Sequence, residues 1–288
     1  MEKNLITIVA PAYNHAAYIE NALHSIKNQT YVNKELIVID DCSTDNTPEI
    51  IERFVALEEV KGAFPGGIRF IRHEVNRNAH NSLNEGIHEA KGDYIAIINT
   101  DDMYEDNRLE VMMREMKAQG GRFAFSTVKI MNQYGEIKNY EPFEKMLKKI
   151  EQYPRISMIL PIENMSISTG NYLFDKKLYE EIGGFNTEYH FIHDWDFVLR
   201  SCLYAEPVFV QDTAYLYRFH ETNTIKQIDE SYAMQRKKEK EVYAVLRNYL
   251  QKIKNKEYCN KQMVSEETWT YFLNCKQICY ASSIWNDI

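Results

Sequence analysis

Tyr94-Ile95-Ala96-Ile97-Ile98-Asn99-Thr100-Asp101-Asp102 is a short apolar run that stops abruptly at carboxylates. A run of that length reads as a buried strand, and in open α/β sheets the carboxyl ends of such strands form the ligand-binding edge. Two adjacent acids there suit a hard divalent cation, Mn²⁺ or Mg²⁺, which takes oxygen ligands and shares them with substrate phosphates. The same pair also fits the start of a helix, where Asp caps exposed N–H groups.

Upstream, Leu36-Ile37-Val38-Ile39 ends in a second pair, Asp40-Asp41, followed by the turn-and-cap sequence Cys42-Ser43-Thr44-Asp45-Asn46-Thr47-Pro48. The opening strand, residues 5–10, runs into Pro11-Ala12-Tyr13-Asn14 and adds an aromatic ring and an amide to the same edge. Acids, amide and ring together outline a nucleotide site. The spacing predicts strands over 5–10, 35–39, 68–72, 94–98 and 122–130, alternating with helices over 16–28, 47–57, 80–90 and 106–118. That alternation implies an α/β fold with a mainly parallel central sheet, right-handed crossovers and flanking helices.

Residues 131–175 are less regular: 145–149 read as helical and 166–171 as a loop or short strand lining a site. A helix over 176–182 ends in Gly183-Gly184, and another begins near Asp194. Residues 232–253 form one long helical pattern with Val242, Val245, Leu246 and Leu250 along one side. That stripe suits packing against the rest of the chain or against a second copy in a homo-oligomer. Its basic cluster, Arg236-Lys237-Lys238 with Lys240, suits peripheral contact with anionic lipid, although Glu239 and Glu241 dilute the charge.

A chain of 288 residues with 44% hydrophobic content can bury a sizeable core. A net charge of −8 excludes broad nucleic-acid binding, which needs a basic face to displace counterions. No stretch approaches the roughly 18–20 apolar residues of a membrane span, and Met1-Glu2-Lys3-Asn4 lacks a signal peptide's apolar region, so a cytoplasmic protein is expected. Five cysteines without Cys-x-x-Cys spacing read as reduced thiols. Cys275 and Cys279, one helical turn apart, are a plain helical face or half of a soft-metal site.

Several motifs occur in a recognisable order: Pro11-Ala12-Tyr13-Asn14, Ser25-Ile26-Lys27-Asn28-Gln29-Thr30-Tyr31, Val38-Ile39-Asp40-Asp41, Asn84-Glu85-Gly86-Ile87, Ala90-Lys91-Gly92-Asp93-Tyr94 and Thr100-Asp101-Asp102. Gly183-Gly184-Phe185-Asn186, His193-Asp194-Trp195-Asp196 and Tyr217-Arg218-Phe219-His220 follow. Over residues 4–224 this ordered set resembles the family-2 glycosyltransferases of the GT-A fold. The resemblance implies a catalytic domain over 1–225, with a nucleotide-binding half over 1–130 and an acceptor-binding half over 131–225, followed by a helical extension over 226–288. It also implies transfer of a sugar from a nucleotide-diphospho-sugar to a glycan or lipid-linked glycan acceptor, in polysaccharide or glycoconjugate synthesis.

The resemblance places Pro11, Tyr13, Asn14, Asp41, Asn84 and Asp101 around the nucleotide. It makes Asp102 the direct metal ligand, with His220 completing the metal shell or bonding the diphosphate. Arg218 is a natural phosphate partner, though a strand surface would also account for Arg218 and His220. Asp194 is the implied general base, and a lone base without a second carboxylate implies inversion at the anomeric carbon. A carboxylate only accepts hydrogen bonds, so Asp41 selects bases with a ring N–H, and a UDP-sugar is the expected donor. Tyr13 offers a face for stacking or belongs to the core, and Asp40 turns toward adjacent backbone.

Asn99, Leu83, Asn78 and His193 depart from the family's commoner residues, and Asn99, Leu83 and His193 motivate one alternative, a catalytically silent nucleotide-sugar binder. A receiver-type signalling domain would need its acidic pair after the first strand, and a dinucleotide enzyme would need GxGxxG; neither pattern is present.

Overall fold

The computed structural model describes residues 4–153, 155–220, 223 and 231–260. Nine strands form one sheet: β1 (Ile6–Ala12), β2 (Lys34–Asp40), β3 (Gly67–Arg72), β4 (Tyr94–Ile97), β5 (Met103–Tyr104), β6 (Phe123–Met131), β7 (Ile137–Lys138), β8 (Tyr172–Asp175) and β9 (Val208–Arg218). Their order is β3-β2-β1-β4-β8-β6-β9-β5, with β7 beside β6. The first four strands pair in parallel, as the alternating pattern predicts. Beyond β4 the sheet is mixed, because β8 enters antiparallel between β4 and β6 while β6 and β9 run parallel.

Alternation along the strands divides the core in two. Val9, Ile37, Ile39, Ile95 and Ile97 face one side, beneath helices Ala79–Glu89 and His193–Cys202. Ile8, Ala10, Leu36, Val38, Ala96 and Ile98 face the other, beneath helices Ile19–Lys27, Thr47–Ala56 and Arg108–Ala118. In the first of these helices Ile19, Ala22, Leu23 and Ile26 are buried at helical spacing. Helix Lys176–Ile182 ends where expected: Gly183 adopts φ 82°, a left-handed cap that costs glycine little.

The long helix Tyr232–Lys254 settles which surface its apolar stripe covers. Val245, Leu246, Tyr249, Leu250 and Ile253 are buried in one cluster with Leu199, Cys202 and Leu203, so this face is occupied by the chain's own helix His193–Cys202. Glu241 fastens the same helix by accepting 2.9 Å from the Phe191 N–H. Among the described residues no helix is long and apolar enough to cross a membrane. Cys275, Cys279 and the boundary expected at 225/226 lie outside the described residues.

Two features position the functional edge. Strand order reverses at β1, with β2 on one side and β4 on the other, which opens a crevice at their carboxyl ends. The short β5 pairs antiparallel with β9 through Met103↔Leu216 and Tyr104↔Tyr215, drawing the end of β9 against the acidic turn.

Candidate functional site

A cleft of about 620 Å³ lies over the carboxyl ends of β1, β2 and β4 and is lined by Pro11, Tyr13, Asn14, His15, Asp41 and Asp101, among others. Tyr13 is 46% exposed, so its ring is a free face at the cleft and not core. The loop carrying it is held by Asn14, whose Oδ1 accepts 2.8 Å from the Thr44 N–H and whose own N–H donates 2.9 Å to Ser43 Oγ. Asn14 and Asn78 line the cleft in left-handed backbone, with φ 55° and 70°, and Cys42 beside Asp41 has φ 66°. Asn78, at φ 70° and ψ 156°, occupies backbone space that glycine enters freely and other residues only under strain.

Asp101 and Asp102 are adjacent in sequence but differ in environment. Asp102 is 1% exposed and does not line the cleft. Its Oδ2 accepts from the Tyr215 O–H at 2.5 Å and its Oδ1 from the Arg218 N–H at 2.7 Å. Burial, with the neighbouring Asp101 charge, pushes its pKa well above the ordinary range. Asp101 reaches the cleft, with Oδ2 3.1 Å from His220 Nε2 and 3.9 Å from His15 Nε2. Its Oδ1 is buried with no partner among the described residues. Burial opposes its charge, yet His15 and His220 hold its pKa below the usual value. The two adjacent carboxyls are thus driven in opposite directions, and Asp101 is the one that lines the cleft.

Asp102, the carboxylate expected to be the direct metal ligand, joins the acidic turn to β9 through these two bonds. Arg218, expected at a phosphate, bonds the protein through two of its guanidinium nitrogens, while Nη2 has no partner among the described residues. Its Nε donates 2.7 Å to the Asp101 carbonyl and its Nη1 reaches the Asn132 and Gln133 carbonyls, while the guanidinium lies 4.9 Å from the Tyr18 ring. At 1% exposure it clamps the acidic turn from behind. Asn84 is likewise turned away from the cleft. Its Oδ1 accepts from the Tyr179 O–H at 2.7 Å and the Phe185 N–H at 2.9 Å, and its Nδ2 donates to the Phe185 carbonyl, tying helix Ala79–Glu89 to the segment after Gly184.

Asp194 sits in the first turn of helix His193–Cys202. Its Oδ2 accepts 2.8 Å from Asn164 Nδ2, and burial raises its pKa above the ordinary carboxylate value despite the opposing effect of His193. Trp195 Nε1 donates 2.6 Å to the Leu160 carbonyl and fixes this helix start. Asp194 is not itself a lining residue; its neighbour His193 lines the cleft. Of the family departures, Leu83 is a core residue at 1% exposure, and Asn99 lines the cleft with Nδ2 2.8 Å from Ser168 Oγ. Asp40 turns toward adjacent backbone as expected, its Oδ2 accepting 3.2 Å from the Ser43 N–H.

Sequence reasoning missed the supports beneath these residues. His15 lines the cleft and bonds Thr100 Oγ1 at 2.7 Å, and its position directly after Asn14 was the available signal. Arg108 is fully buried, 4.3 Å from the Tyr104 ring and 5.5 Å from that of Tyr215, with Nη2 donating to Asn171. It braces the tyrosine that holds Asp102, and Gly170 is glycine because a Cβ there would collide with that same Tyr215 hydroxyl.

At the cleft's outer side His80 packs against His190 and His193, with ring centroids 5.5 and 5.7 Å away. Burial, then the two neighbouring histidines, lower its pKa from 6.5 to about 4. Between those values the unfolded chain binds a proton that the folded chain excludes. The stabilisation is therefore complete above 6.5 and lost as pH falls toward about 4, on the order of 2–3 kcal/mol. Thermal melts over this window should show a steeper acid loss for the natural chain than for His80→Gln; parallel curves would remove His80 as the source.

Comparison with known proteins adds three findings. The model of the family described as "Glycosyl transferase family 2" matches residues 7–183. TuaG of Bacillus subtilis, a glycosyltransferase named for teichuronic acid biosynthesis, is 31% identical over 133 residues, covering 46% of this chain and 50% of that protein. WfgD of Escherichia coli, named as a UDP-Glc:alpha-D-GlcNAc-diphosphoundecaprenol beta-1,3-glucosyltransferase, is 32% identical over 132 residues, 46% of this chain and 49% of that one. The matched stretch thus spans about half the length of each curated relative. Among solved structures, Staphylococcus aureus TarS 1–349 in complex with UDP-GlcNAc superposes with a TM-score of 0.62 at 17% identity, covering 98% of this chain and 78% of that one. A Pyrobaculum calidifontis mannosyltransferase in complex with GDP-Man and Mn²⁺ gives 0.61 at 14% identity, covering 100% and 89%. These likenesses show the GT-A fold.

Proposed function

The chain belongs to glycosyltransferase family 2, and from that premise we propose that it moves a sugar from a UDP-sugar to an acceptor hydroxyl with inversion at the anomeric carbon. The observation that carries this reading is Asp101: a carboxyl group at the cleft, with one buried oxygen lacking a partner among the described residues and a histidine on the other. At the far end of the same cleft stand Tyr13, a face for the base, and Asp41, an acceptor for a ring N–H.

A carboxylate oxygen and an imidazole nitrogen fit Mn²⁺ or Mg²⁺. Asp101 and His220 are the residues that would hold the ion, with Asp102 and Arg218 fixing the turn behind them. Among the described residues no group of three or more His, Cys, Asp or Glu side chains is placed to hold a metal ion. When bound, such an ion neutralises charge on the departing diphosphate.

The chain's own part in the reaction is orientation and proton removal. Tyr13 and Asp41 hold the nucleoside, and His193, beside Asp194, lines the same cleft. Asp194, with its pKa raised by burial, accepts the proton of the attacking hydroxyl. No second carboxylate is assigned to the opposite face, so attack is direct and the centre inverts. The names of TuaG and WfgD support a cell-surface glycan acceptor, lipid-linked in the second case.

A thermal-shift screen of nucleoside diphosphates and their sugars, with and without Mn²⁺, tests the reading, since a ligand binding only the folded state raises the melting temperature. UDP and UDP-sugars are expected to stabilise the chain, and more so with Mn²⁺. A larger shift with GDP or CDP would overturn the uridine assignment. Release of UDP from a donor would exclude a silent binder.

A further inference from the structure

Beneath Asp41 lies a network that neither sugar transfer nor cation binding employs. His73, which follows β3, is 5% exposed. Its Nδ1 is 2.7 Å from Asp41 Oδ1 and its Nε2 is 2.9 Å from Glu85 Oε2. Arg77 brackets the same pair: its N–H donates 2.8 Å to Asp41 Oδ1, and its Nη1 donates 3.1 Å to Glu85 Oε2. Asn76 Nδ2 donates 3.1 Å to the Asp41 carbonyl. Carboxylates only accept, so the His73 Nδ1 facing Asp41 Oδ1 is the donor of that bond. Asp41 Oδ1 therefore takes two donors, whereas Oδ2 has no partner among the described residues, in a side chain that lines the cleft.

Resting on the uridine reading above, we propose that His73, with the Arg77 N–H, is the positioning element that sets the hydrogen-bond polarity of the nucleobase pocket. The two donors hold Oδ1 inward and leave Oδ2 as the acceptor offered to the base. Glu85, held by Arg77, keeps the His73 ring in the orientation that does this. The arrangement selects a base presenting a ring N–H, as uracil does at N3, against cytosine, whose N3 is itself an acceptor.

The network also predicts the outcome of an isosteric exchange. In Asp41→Asn the carbonyl oxygen stays on the two inward donors, since an amide NH₂ there would face two N–H groups. The NH₂ must then point into the cleft, where it complements cytosine N3. One substitution thus inverts the preference, and His73 is what enforces the inversion.

Titration calorimetry of the full chain with UDP and with CDP, in the presence of Mn²⁺, tests this, with the melting of each unliganded variant as the folding control. Asp41→Asn is expected to weaken UDP about tenfold or more and to strengthen CDP by a similar factor. His73→Phe is expected to weaken UDP about tenfold. His73→Asn, whose Nδ2–H can stand where the Nδ1–H stood, recovers most of that loss. In the double variant Asp41→Asn/His73→Phe only the Arg77 N–H still holds the amide oxygen inward, and the CDP preference is expected to shrink. Should His73→Phe fail to melt cooperatively, the Asp41→Asn and His73→Asn arms still decide.

If the natural chain binds UDP, but Asp41→Asn keeps the UDP preference or folded His73→Phe keeps natural UDP affinity, the positioning role is overturned while the uridine reading stands. If the natural chain prefers another nucleoside diphosphate, the uridine reading fails and takes this proposal with it.

Discussion

Asp194→Asn leaves UDP binding intact and lowers turnover by roughly 10²–10⁴-fold, the range contributed by a positioned general base. The exchange is nearly isosteric, and an amide oxygen can still accept from Asn164 Nδ2, so the start of helix His193–Cys202 keeps its geometry. What disappears is the proton acceptor. The natural enzyme should also show an acid limb displaced upward: burial raises the Asp194 pKa, only the ionised form is a base, and kcat/KM falls as pH drops through that raised value. UDP release under saturating donor, paired with UDP titration, reads both effects. Near-normal turnover in the variant would place the base elsewhere.

Asp101→Asn removes the Mn²⁺-dependent part of donor binding and slows transfer on the order of 10²–10³-fold, because the charge opposing the departing diphosphate loses its holder. Asp102→Ala is expected to fail differently. It leaves the Tyr215 hydroxyl and the Arg218 N–H buried without their acceptor, which costs about 2–4 kcal/mol of stability. Titration of UDP with and without Mn²⁺ on both variants, together with their melting temperatures, distinguishes cation holder from turn anchor. The assignment is reversed if folded Asp102→Ala loses Mn²⁺ dependence while Asp101→Asn retains it.

Much of this organisation was legible before any coordinates. The four parallel strands and their helices follow from apolar runs ending in turn residues, signals local enough to survive without tertiary information. The cleft members Pro11, Tyr13, Asn14, Asp41 and Asp101 were legible for the same reason, being strand-end residues whose placement follows from that of the strand. The antiparallel insertion of β8 was not, because a four-residue strand carries no mark of its partner's direction.

Side-chain orientation was the other blind spot. Asp101 and Asp102 are indistinguishable by type and neighbourhood in sequence, and only pairing to β9 decides which faces the cleft. Arg218 and Asn84 carry the donors that a nucleotide site needs, but distant backbone carbonyls engage Arg218 Nε and Nη1 and Asn84 Nδ2. His73 had no sequence signal at all, since its partners Asp41 and Glu85 lie 32 and 12 residues away.

The bond from Arg218 to Asp102 spans 116 residues, and this separation has a consequence for the order in which the protein is made. On the ribosome the first four strands emerge before β9 is synthesised. The turn that follows β4 therefore gains its anchor at Asp102 only after residues more than a hundred positions later have been made.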